Sequence, residues 1–175
     1  MRISSILPVI PEKLFRVVYN DNDENILVKL QDQWTDTQWL RDFFLQFKKD
    51  LDAIPEPFTV NQAVNQTISD ADDLFLALYE SNGENLSKLF KPLHGKKEPD
   101  IRNNQAQKGR IQRRRTWLRI YAVHFDGKYI ITGGAVKLTN DMRRPHLRHE
   151  IYKLELLRSK IKLDINSNNF GYLDL

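Results

Sequence analysis

The chain reads as an α+β protein: an antiparallel β-sheet packed by α-helices, with an N-terminal hairpin and a two-helix extension ahead of a sheet-and-helix half. Three observations predict this. A hairpin signal runs through Arg113 to Thr139, two helical stripes of aromatics lie between residues 35 and 80, and a last apolar helical face follows Pro145. At 175 residues the expectation is a single domain, with residues 1–84 as the extension and 85–165 as the second half.

The central hairpin organises the rest. Trp117 to Phe125 is aromatic, β-branched and aliphatic apart from Arg119 and His124, and Lys128 to Thr132 answers it across Asp126-Gly127. Asp-Gly suits a type I′ turn, whose two central residues need positive φ. Closure there pairs Phe125 with Lys128, Val123 with Ile130 and Tyr121 with Thr132. Leu118, Ile120, Ala122 and Ile131 then form a core face. The opposite face carries Arg119, Tyr121 and Thr132 beside Val123 and Ile130, and reads as a polar, aromatic surface with Arg113, Arg114 and Arg115 leading into it.

In chain order, Leu14 to Tyr19 and Ile26 to Leu30 read as a first hairpin around an acidic turn. Thr35-Asp36-Thr37-Gln38 reads as a capping box for a helix that puts Trp39, Leu40, Phe43, Phe47, Leu51 and Ile54 on one stripe. Thr59 and Gln62 form a second box, ahead of a helix with Ala63, Val64, Ile68, Ala71, Phe75 and Leu78 inward. Ser81-Asn82-Gly83 ends it. Leu86 to Leu93 reads as an edge strand because of Pro92. Residues 94–110 read as a long polar loop, partly strand. Gly133-Gly134 suggests a bulge or a close backbone approach. Pro145 suits the first position of a helix with Leu147, Ile151, Leu154, Leu157 and Ile161 on one face.

Composition narrows the function. There is no cysteine, which removes disulfides and thiol chemistry and fits a cytoplasmic protein. No run approaches the ~20 apolar residues of a membrane span, and the N-terminal MRISSILPVIPEK lacks the features of a signal peptide. The net charge of +4 hides a split. Residues 20–90 hold 5 Lys/Arg and 14 Asp/Glu, residues 91–119 hold 10 and 2, and residues 137–160 hold 7 and 3. Cations gathered beside aromatics suit a polyanion, although a solvated face balancing the acidic half explains the same split.

The chemistry such residues serve needs neither metal nor cofactor. RNA is cut by in-line attack of its own 2′-hydroxyl, helped by groups that orient it, stabilise the charged phosphorane and protonate the leaving oxygen. Arg113, Arg114, Arg115, Arg119, Tyr121, Lys137, Arg143, Arg144 and His146 are the candidates. For each, pairing with a carboxylate or plain surface exposure is the alternative. His146 and His149 are three apart with no third ligand nearby, which argues against a metal site.

The run Arg119-Ile120-Tyr121, Tyr129 to Thr132, Gly133-Gly134-Ala135, Lys137-Leu138-Thr139 and Arg144-Pro145 resembles the carboxy-terminal half of RelE/ParE-like toxins. The resemblance covers about residues 85–162. It is nearest the HigB-like, phage-derived branch and longer members from bacteria such as the Bacteroidetes. It implies a RelE-like C-terminal half and the toxin of a type II toxin–antitoxin system, an endoribonuclease acting on mRNA. Cutting in the RelE branch takes place on the ribosome, and a cognate antitoxin neutralises the toxin. By resemblance the catalytic residues are Arg119, Lys137 and, as the nearest match to the family's acid or base, His146; Arg113, Arg114, Arg115, Tyr121, Arg143 and Arg144 are the RNA-binding candidates from the charge and aromatic pattern itself. The chain is longer than a minimal toxin, and its acidic first half has no counterpart. The ParE branch acts on DNA gyrase without cutting RNA, so a non-catalytic module binding nucleic acid or protein is the alternative.

Overall fold

A computed structural model describes residues 1–20, 24–56, 58–80, 82–93, 105–110 and 116–166, the side chains of 165 and 166 excepted. Six strands form one sheet in the order β1-β2-β6-β5-β4-β3. They are β1 (Ile3–Ile10), β2 (Leu14–Tyr19), β3 (Phe90–Pro92), β4 (Gln105–Gly109), β5 (Leu118–Phe125) and β6 (Lys128–Val136). All neighbours run antiparallel except β2 and β6, which are parallel. The α+β class holds, with the N-terminal strands joined to the same sheet as the central hairpin.

The first hairpin is not the expected one. β2 pairs with β1, and residues 26–30 are helical instead of extended. The helix α1 (Ile26–Thr35) buries Leu27, Leu30 and Trp34, spaced three and four apart. Asn25 starts it by accepting the N–H of Leu27 at 3.0 Å. The cap of α2 (Thr37–Gln46) is Asp36, which accepts from Gln38 and Trp39, whereas Thr35 closes α1 and bonds back to Gln31. The expected single stripe from Trp39 to Ile54 breaks at Phe47 into α2 and α3 (Lys48–Asp52). Phe47 packs its ring 4.7 Å from Phe43 and 4.8 Å from His146 at that break.

The second capping box forms as expected. Thr59 N–H donates to Gln62 Oε1 at 2.9 Å and Gln62 N–H to Thr59 Oγ1 at 3.2 Å, opening α4 (Val60–Glu80). Asn82 and Gly83, both at positive φ, follow its end. Residues 86–93, expected as an edge strand, form one helical turn, α5 (Leu86–Leu89), and then the short edge strand β3. Inside the stretch 94–110, β4 pairs with β5.

The Asp126-Gly127 turn has both residues at positive φ, and Phe125↔Lys128 and Val123↔Ile130 pair as expected. Tyr121 pairs with Gly133 instead of Thr132, because an extra residue is accommodated there. Gly133 is needed by close approach: a Cβ would lie 2.1 Å from Glu150 Oε2.

The sheet has helices on both faces. α1 to α5 cover the face of Leu14, Leu118, Ile120, Ala122 and Ile131. The helix α6 (Pro145–Asn166) covers Phe15, Val17, Tyr121, Val123, Phe125 and Ile130 with Leu147, Leu154, Leu157 and Ile161. The expected open, polar face is therefore a second core in which Tyr121 and Thr132 are fully buried. The physical reason is in β5 itself: a strand apolar at nearly every position is buried on both sides.

Candidate functional site

A cluster of cations gathers at one end of the α6-covered face. Lys108 on β4 lies opposite Tyr121 on β5, and Gly109 opposite Ile120, so Arg110 continues the register towards Arg119. Arg119 is two residues before Tyr121 and lies opposite Ala135, two residues before Lys137. The period of two puts Lys108, Arg110, Arg119, Tyr121 and Lys137 on one face. Arg110 is exposed, Lys108, Arg119 and Lys137 are half-buried, and Tyr121 forms the floor.

The electrostatics record the crowding. Burial and then Arg110 pull the Arg119 pKa down to about 10, against weaker support from Tyr121 and Asp70. Burial followed by Arg119 and Arg110 lowers Lys108, and burial followed by Arg119 and Lys108 lowers Lys137. Like charges held together at a cost mark a place where an anion is welcome. Tyr121 is pushed up by burial, stays a neutral phenol, and places its hydroxyl 3.7 Å from Met142 Sδ.

Arg119 is held in place by the chain it sits on. Its Nη1 donates to Thr116 O at 2.7 Å and to Leu118 O at 2.6 Å. No protein acceptor among the described residues takes its Nε and Nη2 donors. One branch of the fork is anchored and the rest can face an oxyanion. Lys137 Nζ donates to Thr139 O at 2.5 Å and Lys108 Nζ to Leu93 O at 3.1 Å. Each of these anchors occupies only part of its ammonium's donor capacity.

The other expected residues are distributed differently. Arg113, Arg114 and Arg115 lie outside the described residues. Arg143 is exposed on the turn before α6, with Asp141 Oδ2 3.9 Å from its Nε. Arg144 makes a two-pronged bond with Asp50 of α3, Nε to Oδ2 at 2.7 Å and Nη2 to Oδ1. His146 donates from Nε2 to Val136 O at 3.0 Å, and its ring packs edge-on against Phe43 and Phe47. Burial lowers its pKa, and the charges acting on it are Asp50 and Arg144, not the cation cluster. Lys108 and Arg110 were missed in the sequence. Their signal was spacing: two cations two residues apart share a face once the stretch is a strand.

A second feature is a cleft between α1 and α6. Two cavities of about 390 and 480 Å³ share Gln33, Gly134, His149 and Glu150. Glu150 is 5% exposed, pairs with Lys153 at 2.7 Å, and leaves Oε2 without a hydrogen-bond partner among the described residues. Burial raises its pKa and Lys153 draws it back. Tyr19, also raised by burial, donates to Thr132 O at 2.9 Å.

Among the described residues no helix is long and apolar enough to cross a membrane. Comparison with protein-family models, with curated proteins and with solved structures finds no match to this chain.

Proposed function

We propose that this protein is an RNA-directed toxin of the RelE-like kind, acting in the cytoplasm and neutralised by a partner antitoxin. RNA phosphates enter the cluster of Lys108, Arg110, Arg119 and Lys137. Arg119 stabilises the phosphorane as the RNA's 2′-hydroxyl attacks the neighbouring phosphorus and loses its proton to water; the bond to the 5′-oxygen breaks, leaving a 2′,3′-cyclic phosphate and a 5′-hydroxyl protonated by water, a metal-independent endoribonuclease reaction on mRNA. The observation that carries this reading is the convergence of four cations on one sheet face around an arginine anchored by its own backbone. Preorganised donors of that kind stabilise charge that develops during reaction without reorganising first.

One observation favours a second reading, a non-catalytic RNA-binding module. The acid expected at His146 is committed to Val136 O and packed against Phe43 and Phe47. Single-turnover cleavage of mRNA, free and ribosome-bound, decides between the two, with affinity measured in parallel. Cleavage supports the toxin; binding without cleavage under either condition leaves the module. Inducing the chain alone in a bacterial host is expected to arrest growth, and normal growth at verified expression counts against a toxin.

A further inference from the structure

The turn from Lys137 to Arg144 joins β6 to α6, and no helix or strand runs over it. It bears on the cation cluster at two points. Lys137 belongs to the cluster, and Met142 Sδ accepts from the hydroxyl of Tyr121, the cluster's floor, at 3.7 Å. Asn140, Asp141 and Arg143 are exposed. A segment of that kind takes its shape from local side-chain bonds, not from a ladder.

Those bonds form a chain. Lys137 Nζ donates to Thr139 O at 2.5 Å, so the ammonium stands where that carbonyl puts it. Thr139 Oγ1 donates to Asp141 O at 3.2 Å, and Arg143 N–H donates to Asp141 Oδ1 at 2.9 Å. The next residue, Arg144, closes the turn with its two-pronged bond to Asp50 of α3, Nε to Oδ2 at 2.7 Å and Nη2 to Oδ1. The side chain of Asp50 is 11% exposed. Isolated ion pairs on the surface hold little, but a bidentate pair with one partner shielded from water fixes geometry as well as charge. The seam beside it is tight: Phe43, Phe47 and Leu138 face one another across a gap with no room for water. Asp50 belongs to the acidic half of the chain, yet both of its carboxylate oxygens are engaged by a cation at the start of α6.

We propose that Asp50 is a positioning residue for the RNA site: through Arg144 it fixes the turn, and the turn fixes the ammonium of Lys137 among the cluster's cations. This rests on the RNA reading and deepens it. It gives the helical extension a part in the site, as a brace, and it removes Arg144 from the residues that touch RNA. A site keeps its geometry only where the side chains supporting it are themselves locked.

The test is binding of a single-stranded RNA dodecamer, across a salt series, to the full chain and to Asp50→Ala, Thr139→Val, Lys137→Ala and the double variant Asp50→Ala with Lys137→Ala. Charge alone predicts that losing Asp50 strengthens binding, because a carboxylate goes and Arg144 is set free to meet phosphate. Positioning predicts the opposite sign. Asp50→Ala should weaken binding about fivefold at roughly 0.1 M salt and lower the salt slope by about 0.7, the loss of one phosphate contact on a single strand. Lys137→Ala should do the same, and adding Asp50→Ala to it should cost nothing more, since the two act as one unit. Amide exchange at Arg143 should quicken in Asp50→Ala while that of β5 stays as it was, the mark of a loosened turn on an intact sheet. Thr139→Val breaks a middle link, leaves the ion pair in place, and should weaken binding in the same direction; unchanged binding there overturns the role even where Asp50→Ala fails to fold. The role is also overturned if Asp50→Ala binds RNA as well as the wild type or better, if its loss adds to that of Lys137→Ala, or if exchange at Arg143 is unaltered. Each of these leaves the RNA reading standing, whereas a wild type that binds no RNA at any salt overturns that reading itself.

Discussion

Arg119 is where structure and chemistry meet most closely at the scale of one residue. Its anchors are backbone carbonyls of its own strand entry, so losing the side chain removes a donor without unpairing a buried carboxylate. Arg119→Ala is therefore expected to cut the rate of RNA cleavage by about 100-fold or more and to weaken binding far less. Lysine should rescue little, because one ammonium cannot both hold Thr116 O and Leu118 O and present a planar fork. Equal losses in rate and affinity would make Arg119 an ordinary phosphate contact.

Glu150 and Lys153 give a prediction with a definite sign. Burial lifts the Glu150 carboxyl above the ordinary carboxylate range, and Lys153 opposes the lift through charge and a hydrogen bond. In Lys153→Met the opposition is gone and the folded-state pKa rises further. A carboxyl with a folded pKa above its unfolded one favours folding while protonated. Its contribution falls as pH rises from the unfolded value, about 4.3, through the folded value. Lys153→Met should thus destabilise the protein more at pH 8 than at pH 5, by up to about 3–5 kcal/mol for an uncompensated buried charge. Urea midpoints at the two pH values measure it, and equal losses at both would mean that Glu150 is not the group responsible.

At the scale of elements, the boundary between α1 and α2 shows what a sequence conveys and what it withholds. The tetrad Thr35-Asp36-Thr37-Gln38 announces a helix start, but two side chains in it can cap. Asp36 wins because α1 extends to Thr35 and commits that residue to helical geometry. Asp36→Ala should cost about 1 kcal/mol and Thr35→Ala less than about 0.5 kcal/mol in thermal unfolding; the reverse order would restore Thr35 as the cap. The same cause hid α1 itself. Ile26-Leu27-Val28 looks extended by composition, and only the three-and-four spacing through Leu30 to Trp34 separates helix from strand. The Asp-Gly hairpin, the Thr59 box and the helix after Pro145 were legible because each carries its own local chemistry. The site was half legible. Arg119 and Lys137 lie on or beside strands readable from their apolar neighbours, whereas Lys108 and Arg110 sit in a polar stretch whose pairing is set by β5. His146 was placed by its neighbours in sequence, and its surroundings, Phe43 and Phe47, come from a distant helix.

The charge split along the chain becomes a split in space at the scale of the molecule. The acidic stretch is largely α1 to α4, packed on one face of the sheet, while the cation cluster stands at the end of the opposite face. A polyanion approaching that end meets attraction on one side and repulsion from the helices behind, which orients it before contact. The second core under α6 is what makes this possible. It holds three neighbouring strands rigid, so that cations which repel one another cannot move apart.

That held repulsion gives the last prediction. Lys108, Arg119 and Lys137 all have pKa values lowered by burial and then by neighbouring cations, Arg110 acting on Arg119 and Lys108, and Arg119 acting on Lys108 and Lys137, so the folded state bears a cost while they are charged. An anion in the cluster removes part of that cost and binds the folded state alone, so it must raise the unfolding temperature. At a free concentration about 100 times its dissociation constant, a single-stranded RNA dodecamer should add about 2.7 kcal/mol, or roughly 5–10 °C in a chain of this size. The rise should shrink as salt increases, because binding releases counterions from the phosphates. Lys108→Ala with Lys137→Ala should have the opposite signature without RNA. The double variant should melt no lower than the wild type, since it has lost repulsion, and should gain much less from RNA. Differential scanning calorimetry across a salt series reads both effects. A double variant that still gains the full 5–10 °C would move the anion site away from these strands.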